Sequence, residues 1–366
     1  MGTQLRSLVS RWPLFVPVLA AVALALTWGR SMNAGLVTLV GCCLAGAVLS
    51  AVHHAEVIAH RVGEPFGSLV LALAVTIIEV ALIVTLMADG GDKSSTLARD
   101  TVFAALMITC NGIVGLCLLV GALKQRVAVF NAEGTGAAFG AVATLAGLSL
   151  VLPTFTTSTP GPQFSPAQLT FAALAALILY GLFVATQTVR HRDYFLPVTA
   201  EGEVIDVDDH ADPPSARTAL ASLGLLLVAL IAVVGLAKGV SPTIESTVAA
   251  AGLPASVVGV VIALLVLLPE SIAAVRAARG DRVQTSFNLA LGSAMASIGL
   301  TIPAVAVASV WLDGPLVLGL GATHMVLLAL TFAVGTLTIV PGRATPLQGG
   351  VHLSLLAAYV VLAASP

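Results

Sequence analysis

The feature that most constrains this chain is a succession of long apolar runs separated by short polar stretches. A helix needs about 20 apolar residues to cross the hydrocarbon core of a bilayer, where its backbone polar groups must bond to each other. Only 9% of the 366 residues are charged, whereas a soluble domain carries roughly a quarter. The sequence therefore predicts an all-α integral membrane protein.

About eleven of these runs are predicted to cross the membrane as helices. The first run follows Arg6 and Arg11, but no small-x-small cleavage site comes after it. We therefore expect it to be a membrane helix and not a signal peptide. The predicted spans are 13–29, 34–52, 66–88, 101–123, 136–153, 167–187, 218–238, 255–277, 286–310, 322–340 and 349–363.

Lysine and arginine are distributed unevenly between the two sides of these spans. One side holds the twelve residues Arg6, Arg11, Arg61, Lys124, Arg126, Arg190, Arg192, Arg217, Arg276, Arg279, Arg282 and Arg343. The other holds the four residues Arg30, Lys93, Arg99 and Lys238. Cytoplasmic loops are enriched in basic residues. We therefore expect a multi-pass protein of the cell (inner) membrane, with a cytoplasmic N-terminus and an external C-terminus.

One long polar loop, from Thr188 to Arg217, divides the chain. It is predicted to be a solvated linker or, alternatively, a calcium-attracting or regulatory segment. The chain then has four predicted parts: a leading helix (1–33), a first five-helix repeat (34–187), an acidic cytoplasmic loop (188–217) and a second five-helix repeat (218–366). The acids of the loop are Glu201, Glu203, Asp206, Asp208, Asp209 and Asp212.

The two halves contain related segments. PFGSLVLALAVTIIEVALI (65–83) aligns with ASVVGVVIALLVLLPESIAA (255–274), and Glu79 falls on Glu270. Downstream, RDTVFAALMITCNGIVGL (99–116) aligns with VQTSFNLALGSAMASIGL (283–300), which places Thr109 on Ser293. The matched spans are five helices apart, and an odd offset requires opposite orientations in the membrane. The sequence therefore predicts an inverted repeat, the arrangement of many secondary transporters.

Glu79 and Glu270 are the main candidates for chemistry. An ionised carboxylate in the middle of a span costs roughly 2.5 to 3.5 kcal/mol on insertion scales, so such residues are usually functional. The alternative is a protonated acid that only joins neighbouring helices. Pro269 lacks a backbone N–H, so we expect a local helix break that frees carbonyl oxygens beside Glu270.

Further oxygen atoms are predicted near the acids on the matched helices. They belong to Thr109, Asn111, Asn288, Ser293 and Ser297; alternatively, these residues only ease helix contact. Calcium takes six to eight oxygen ligands, and two acids neutralise its charge, so Glu79 and Glu270 suit a divalent metal ion. Burial raises carboxylate pKa values, so protons compete with the cation. This predicts exchange of a cation for protons, with no cofactor beyond these transported ions.

The histidines offer secondary candidates. His53, Glu56 and His60 follow helical spacing on one face and are predicted to be an interfacial polar face or, alternatively, a metal-binding or pH-sensing group. His324 and His352 lie early in the last two predicted spans. Either residue is a candidate for proton relay or for a structural role.

The residues AHRVGEPFGSLVLALAVTIIEVALI, LLPESIAAV and VQTSFNLALGSAMASIGLTIP together resemble the ChaA-type sodium, potassium and calcium/proton antiporters of the calcium/cation exchanger superfamily. The resemblance covers most of the chain, including the acidic loop and the HLSLLAAYVVL tail. It implies a ten-helix exchanger core after a leading helix. It also implies that the paired acids of the family are Glu79 and Glu270. GATHMV (321–326) departs from it, with His324 where an acid is expected.

Two other functional classes remain open. A membrane-embedded hydrolase would use buried acids, but the chain lacks HExxH and GxSxG motifs, and we predict that it is not an enzyme. A proton-independent channel or cation sensor would use the same acids, although the repeat favours an exchanger. The expected partners are calcium, sodium or potassium ions, protons, membrane lipids and further copies of the chain, but not nucleic acid.

Overall fold

The computed structural model describes residues 12–30, 32, 34–62, 66–89, 95–199, 214–254, 256–312 and 314–365. Most of these residues are helical, and we number the α-helices in chain order. They are α1 (Trp12–Thr27), α2 (Ala34–Val62), α3 (Phe66–Asp89), α4 (Leu97–Met107), α5 (Val114–Gln125), α6 (Ala132–Ala146), α7 (Pro166–Ala185), α8 (Ala216–Ala250), α9 (Ser256–Arg279), α10 (Val283–Ala308), α11 (Ala322–Ile339) and α12 (Pro346–Ala364).

Shorter elements interrupt or join these helices. Three π-helical segments cover Ile108–Ile113, Gly147–Val151 and Thr186–Arg190, and two 3-10 turns cover Leu152–Thr154 and Arg192–Phe195. Two short strands, β1 (Ala128–Val129) and β2 (Arg343–Ala344), pair antiparallel. Ala128 lies opposite Ala344 in this pair, so the loop after α5 is joined to the loop before α12.

The apolar runs became membrane-length helices. Within the described ranges, nine helices are long and apolar enough to cross a membrane. Two shorter apolar helices, Trp12–Thr27 and Leu73–Ala88, coincide with predicted spans 13–29 and 66–88. The membrane-spanning, all-α class is therefore confirmed, whereas the count of eleven stays a prediction.

Two helices extend at least ten residues beyond their predicted ends. α2 continues to Val62 and α8 continues to Ala250, although the predicted spans end at 52 and 238. The predicted spans end where polar side chains lower the hydropathy. The residues that follow nevertheless have helix propensities that mostly allow the helix to continue. Pro242 lies within α8, where it removes one backbone hydrogen bond without ending the helix.

The chain forms two compact units. The first comprises Met1–Leu86 and His210–Gly252, and in it α1, α2 and α8 pack against one another. A Cβ atom at Gly235 of α8 would lie 2.5 Å from the Leu24 side chain of α1. At the start of α1, the carbonyl oxygen of Pro13 accepts a hydrogen bond from Ser50 Oγ at 2.9 Å.

The second unit comprises Met87–Asp209 and Leu253–Pro366. In it α9 packs against α4 and α10, α10 packs against α6 and α7, and α12 packs against α5 and α11. Glycines lie at several of these contacts: a Cβ atom at Gly259 of α9 would lie 3.1 Å from the backbone of Asp100 in α4. Small residues let helices approach closely in a membrane, and they do so here.

The units defined by packing do not follow the predicted repeats. The first unit combines α2, at the start of the first predicted repeat, with α8, at the start of the second. Packing groups helices by proximity and not by internal similarity, so these units leave the predicted repeat boundaries untested. The acidic run 201–212 lies outside the described residues.

The last helices of the two predicted repeats begin with the same motif. Ser165-Pro166 precedes Gln168 at the start of α7, and Thr345-Pro346 precedes Gln348 at the start of α12. In both, the hydroxyl residue and the glutamine form a reciprocal capping box, with proline in the first turn. This motif is common at helix starts, and the repeat stays a prediction.

Candidate functional site

Glu270 lies in the middle of α9 and is 8% exposed. The helix break predicted at Pro269 is wrong, because α9 is continuous from Ser256 to Arg279. A proline removes only one backbone hydrogen bond, and the turns on either side hold the helix together. Next to this position, Ser271 Oγ donates a hydrogen bond to the carbonyl oxygen of Leu267 at 2.7 Å.

Glu79 lies on α3 and is 4% exposed. Thr76, one turn earlier on the same helix, is also 4% exposed. The sequence prediction that both acids are buried within apolar helices is therefore confirmed. Glu79 belongs to the first compact unit and Glu270 to the second.

Thr109 lies in the π-helical segment Ile108–Ile113, hereafter the π segment, which joins α4 to α5. Its wide turn is marked by the backbone N–H of Val114, which donates to the carbonyl oxygen of Thr109 five residues earlier. The fully buried Thr109 hydroxyl donates to the carbonyl oxygens of Ala105 at 2.8 Å and Leu106 at 3.1 Å. Single-turn π segments occur frequently at functional sites.

Three of the predicted site residues lie on elements that pack together in the second unit. The π segment carries Thr109, α9 carries Glu270 and α10 carries Ser293, and each of these elements packs against the other two. Ser297, one turn after Ser293, is 2% exposed. A carboxylate and several hydroxyl oxygens are thereby brought onto neighbouring helices, a set of atoms that suits a hard cation.

Asn111 and Asn288 have side chains engaged in hydrogen bonds to the protein. Asn111 bonds Thr331 and His352. Asn288 Nδ2 donates to the carbonyl oxygen of Phe195 at 2.7 Å, and its Oδ1 accepts from Gln284 Nε2 at 2.9 Å. Asn288 thus joins α10 to the 3-10 turn at the beginning of the long loop, and its predicted role as a cation ligand stays a prediction.

His53, Glu56 and His60 lie on α2, in the first compact unit. On α2, His53 is half-buried beside Trp12, with a ring separation of 6.3 Å, whereas Glu56 and His60 are exposed. Among the described residues, no group of three or more His, Cys, Asp or Glu side chains is placed to hold a metal ion. The polar-face, metal-binding and pH-sensing interpretations of His53, Glu56 and His60 all stay predictions.

His324, early in α11, lies in an aromatic cluster. Its ring centroid is 4.8 Å from that of Phe103 and 6.4 Å from that of Tyr359. The rings of Phe103 and Tyr359 are themselves 5.4 Å apart. This packing fits the structural role left open for His324, and the proton-relay role stays a prediction.

An ion pair at the start of α4, with a buried carboxylate, was not among the sequence predictions. Asp100 is 7% exposed, and its carboxylate lies 2.7 Å from the Arg99 guanidinium and accepts a hydrogen bond from Thr96 at 2.9 Å. Arg99 also donates to the carbonyl oxygen of Gly319 at 3.2 Å. Adjacent Arg and Asp residues at the start of a predicted span are a signal that could have located this pair.

A second ion pair, between Lys124 and Asp281, is exposed. Lys124 Nζ is 2.6 Å from Asp281 Oδ2 and also donates to the carbonyl oxygen of Arg279. The hydrogen bond from Lys124 holds the pKa of Asp281 below its usual value. This pair joins the end of α5 to the turn between α9 and α10.

Comparison with known proteins places the whole chain among ion transporters. The family model described as sodium/calcium exchanger protein matches residues 32–189 and 221–364. A putative ionic transporter, y4hA of Sinorhizobium fredii, is 47% identical and covers 99% of both chains. The sodium-potassium/proton antiporter ChaA of Escherichia coli is 36% identical and covers 95% of this chain and 94% of its own.

Solved structures share the fold at low identity. Native YfkE superposes with a TM-score of 0.68 at 18% identity and covers 95% of each chain. The H+/Ca2+ exchanger CAX also superposes with a TM-score of 0.68, at 17% identity, and covers 96% of this chain and 91% of its own. At this identity the likeness concerns the fold alone, and it extends over nearly the full length.

Proposed function

This chain belongs to the sodium/calcium exchanger protein family, and on that premise we propose that it exchanges a cation for protons across the membrane. The observation that carries the proposal is that Glu79 and Glu270, matched between the two halves, are both buried in apolar helices. The E. coli relative at 36% identity is named as a sodium-potassium/proton antiporter. The chain is thus a secondary transporter and not an enzyme.

The chemistry follows from the cost of burying charge. A carboxylate within a span is stable when it is protonated or when it binds a cation. Glu79 and Glu270 therefore hold either protons or the cation, and a site that holds neither is too costly to move across the membrane. This competition couples the two fluxes without a separate proton site or a resident cofactor.

The cation of this proposal is most simply calcium, with sodium or potassium as alternatives. Two carboxylates balance a divalent charge, and the hydroxyl oxygens of Thr109 and Ser293 lie on elements that pack against α9. Asn111 and Asn288 donate their amide protons to other protein groups, which suits a supporting role around the site.

In this proposal the exchanger is a multi-pass protein of the cell (inner) membrane. The excess of basic residues on one side supports a cytoplasmic N-terminus and an external C-terminus. Large apolar side chains exposed on α7, among them Phe171 at 62% and Ile178 at 61%, suit contact with lipid or with another copy of the chain.

The direct test is proton flux in proteoliposomes that contain a pH-sensitive dye. A proton gradient is imposed, and calcium, sodium or potassium is then added in turn. At least one cation should dissipate the gradient, and Glu79→Gln or Glu270→Gln should abolish this response, because an amide cannot alternate between a proton and a cation. Glu133→Gln is the matched control, since Glu133 is exposed at the start of α6.

The outcomes separate the possible failures. Normal exchange in both Gln variants would show that the two acids are not the site. Cation flux without proton movement in the wild type would identify a channel. A lack of response to all three cations, in protein that elutes as a single folded species, would overturn the proposed exchange.

A further inference from the structure

A buried polar cluster joins the π segment to the last two helices. Asn111 Nδ2 donates to Thr331 Oγ1 of α11 at 2.9 Å, and Asn111 Oδ1 lies 3.1 Å from His352 Nδ1 of α12. His352 Nε2 lies 3.2 Å from Thr338 Oγ1 of α11. None of the four side chains is more than 2% exposed. We call Asn111, Thr331, Thr338 and His352 the amide–imidazole cluster.

The proton positions in this cluster follow from the carbonyl oxygen of Leu327, which can only accept a hydrogen bond. Thr331 Oγ1 lies 2.8 Å from the carbonyl oxygen of Leu327, so the single hydroxyl proton of Thr331 is donated there. Thr331 must then accept from the amide nitrogen of Asn111, which leaves the Asn111 oxygen facing His352. His352 therefore donates from Nδ1, and its Nε2 accepts from Thr338.

The helices that carry these groups are closely packed. A Cβ atom at Gly115 of α5 would lie 2.9 Å from His352 Cβ, and one at Gly112 in the π segment would lie 3.0 Å from Leu356. α12 thus lies directly against the π segment and the first turn of α5. The orientation of the Asn111 amide is consequently fixed from two helices at once.

The space beside the cluster is too small for an ion site. A cavity of about 10 Å³ borders His352 and Thr338, and its wall also includes Phe139, Phe287 and Leu291. One water molecule needs roughly 10 to 15 Å³, so a hydrated cation does not fit. The geometry suits a cluster that holds a backbone segment in place.

We propose that His352 is a positioning residue of the exchanger, which acts through Asn111 on the π segment and thereby sets cation affinity. Thr109 lies two residues before Asn111 in the same wide turn. A π segment is a rare, usually single-turn departure from the α-helical pattern, and α12 packs directly against this one. Loss of the bond from His352 frees Asn111 to turn and lets the Thr109 oxygen move. This inference rests on the proposed exchange function.

The test compares three substitutions at His352 by the KM for the driving cation and the maximal exchange rate. His352→Asn keeps an N–H near the Nδ1 position, His352→Gln keeps one near Nε2 instead, and His352→Leu keeps neither. Because the cluster uses Nδ1–H, His352→Leu and His352→Gln should raise KM by about tenfold with little change in maximal rate. His352→Asn should recover most of the affinity.

Two controls keep the test decisive. His191→Gln, at an exposed position outside the cluster, should leave both constants unchanged. If His352→Leu does not fold, Thr331→Val replaces it, because this isosteric change removes the acceptor of the Asn111 amide and should raise KM in the same way. Thermal unfolding in detergent reports whether each variant is folded.

A second measurement does not depend on transport. Nitrogen-15 NMR of histidine-labelled protein, with the His352 signals assigned by their loss in His352→Asn, should show a protonated Nδ1 and an unprotonated Nε2. The opposite tautomer, or an unchanged KM in folded His352→Leu or Thr331→Val, would overturn the inference. Failure of the wild type to exchange any cation would overturn the proposed function, while the tautomer still tests the cluster geometry.

Discussion

At the residue scale, a functional side chain can be predicted from the sequence when its burial is costly. Glu79 and Glu270 could be predicted because a mid-span carboxylate is expensive and therefore rare. The amide–imidazole cluster carries no comparable signal, since amides, hydroxyls and neutral imidazoles are common at helix contacts. The cluster residues that Asn111 bonds are also 220 and 241 positions away along the chain, which no local pattern reports.

The buried ion pair at the start of α4 leads to a stability prediction. Asp100→Asn should lower stability by about 2 kcal/mol, because Arg99, which is 17% exposed, loses its charged partner in a largely desolvated position. Exchange activity should persist, since the site helices keep their own contacts. Thermal unfolding in detergent, measured beside proteoliposome flux, checks both expectations.

The exposed pair provides the matched control for this prediction. Asp281→Asn removes the partner of Lys124 where both side chains are largely in solvent, so its effect on unfolding should be much smaller. The folded pKa of Asp281 is lowered, so the pair stabilises the protein above the unfolded pKa and loses this contribution as pH falls through the folded one. An equal loss of stability in both variants at neutral pH would contradict the burial argument.

At the scale of elements, hydropathy located the helices but not their internal irregularities. The span predicted at 101–123 became α4, the π segment and α5, because apolar content reports membrane length and not hydrogen-bond pattern. The capping boxes at Ser165 and Thr345 were readable in advance, since a hydroxyl residue, proline and glutamine in this spacing mark a helix start. Pro269 misled the prediction because one proline can be accommodated within a long helix.

The contact between α5 and α12 leads to a prediction about packing. Gly349→Ala places a Cβ atom 2.8 Å from both the carbonyl oxygen of Gly115 and the backbone nitrogen of Leu119, and neither atom can move without moving α5. We expect destabilisation of about 1 to 3 kcal/mol by overpacking. Differential thermal unfolding of the purified variant measures this loss.

The neighbouring residue is a control with the same chemistry. A Cβ atom at Gly350 meets nothing within 4 Å, so Gly350→Ala should be neutral or slightly stabilising through helix propensity. If both variants unfold at the wild-type temperature, the close approach of α12 to α5 is not as tight as described.

At the scale of the whole molecule, the membrane class and the exchanger family followed from the sequence. The apolar content predicted the membrane class, and the residues around Glu79, Glu270 and 283–303 predicted the exchanger family. The division into two compact units did not follow, because α2 and α8 are far apart in sequence and their packing has no local signature. The predicted repeats reflect similarity between the two halves of the sequence, whereas the compact units reflect which helices pack together.

The acidic loop leads to a prediction about the whole transporter. Deletion of 201–212 should leave cation-driven proton flux intact, because the loop is anchored before this run by the bond from Asn288 to Phe195. Proteoliposome flux over a range of calcium concentrations checks this expectation. Loss of transport in folded protein would instead favour the regulatory interpretation, and replacement of the run by a neutral linker of equal length would separate charge from length.

The π segment also sets the helical phase of the span that contains it. An α-helix turns by about 100° per residue, so an extra residue held in one wide turn offsets everything that follows by a similar angle. α4 is therefore phased to α9, where Gly259 meets Asp100, and α5 is phased separately to α12, where Gly115 meets His352. Without the offset, Gly115 would turn away and a larger side chain would face the backbone of α12. The π segment thus lets one continuous span pack closely against both α9 and α12, which a uniform α-helix could not do.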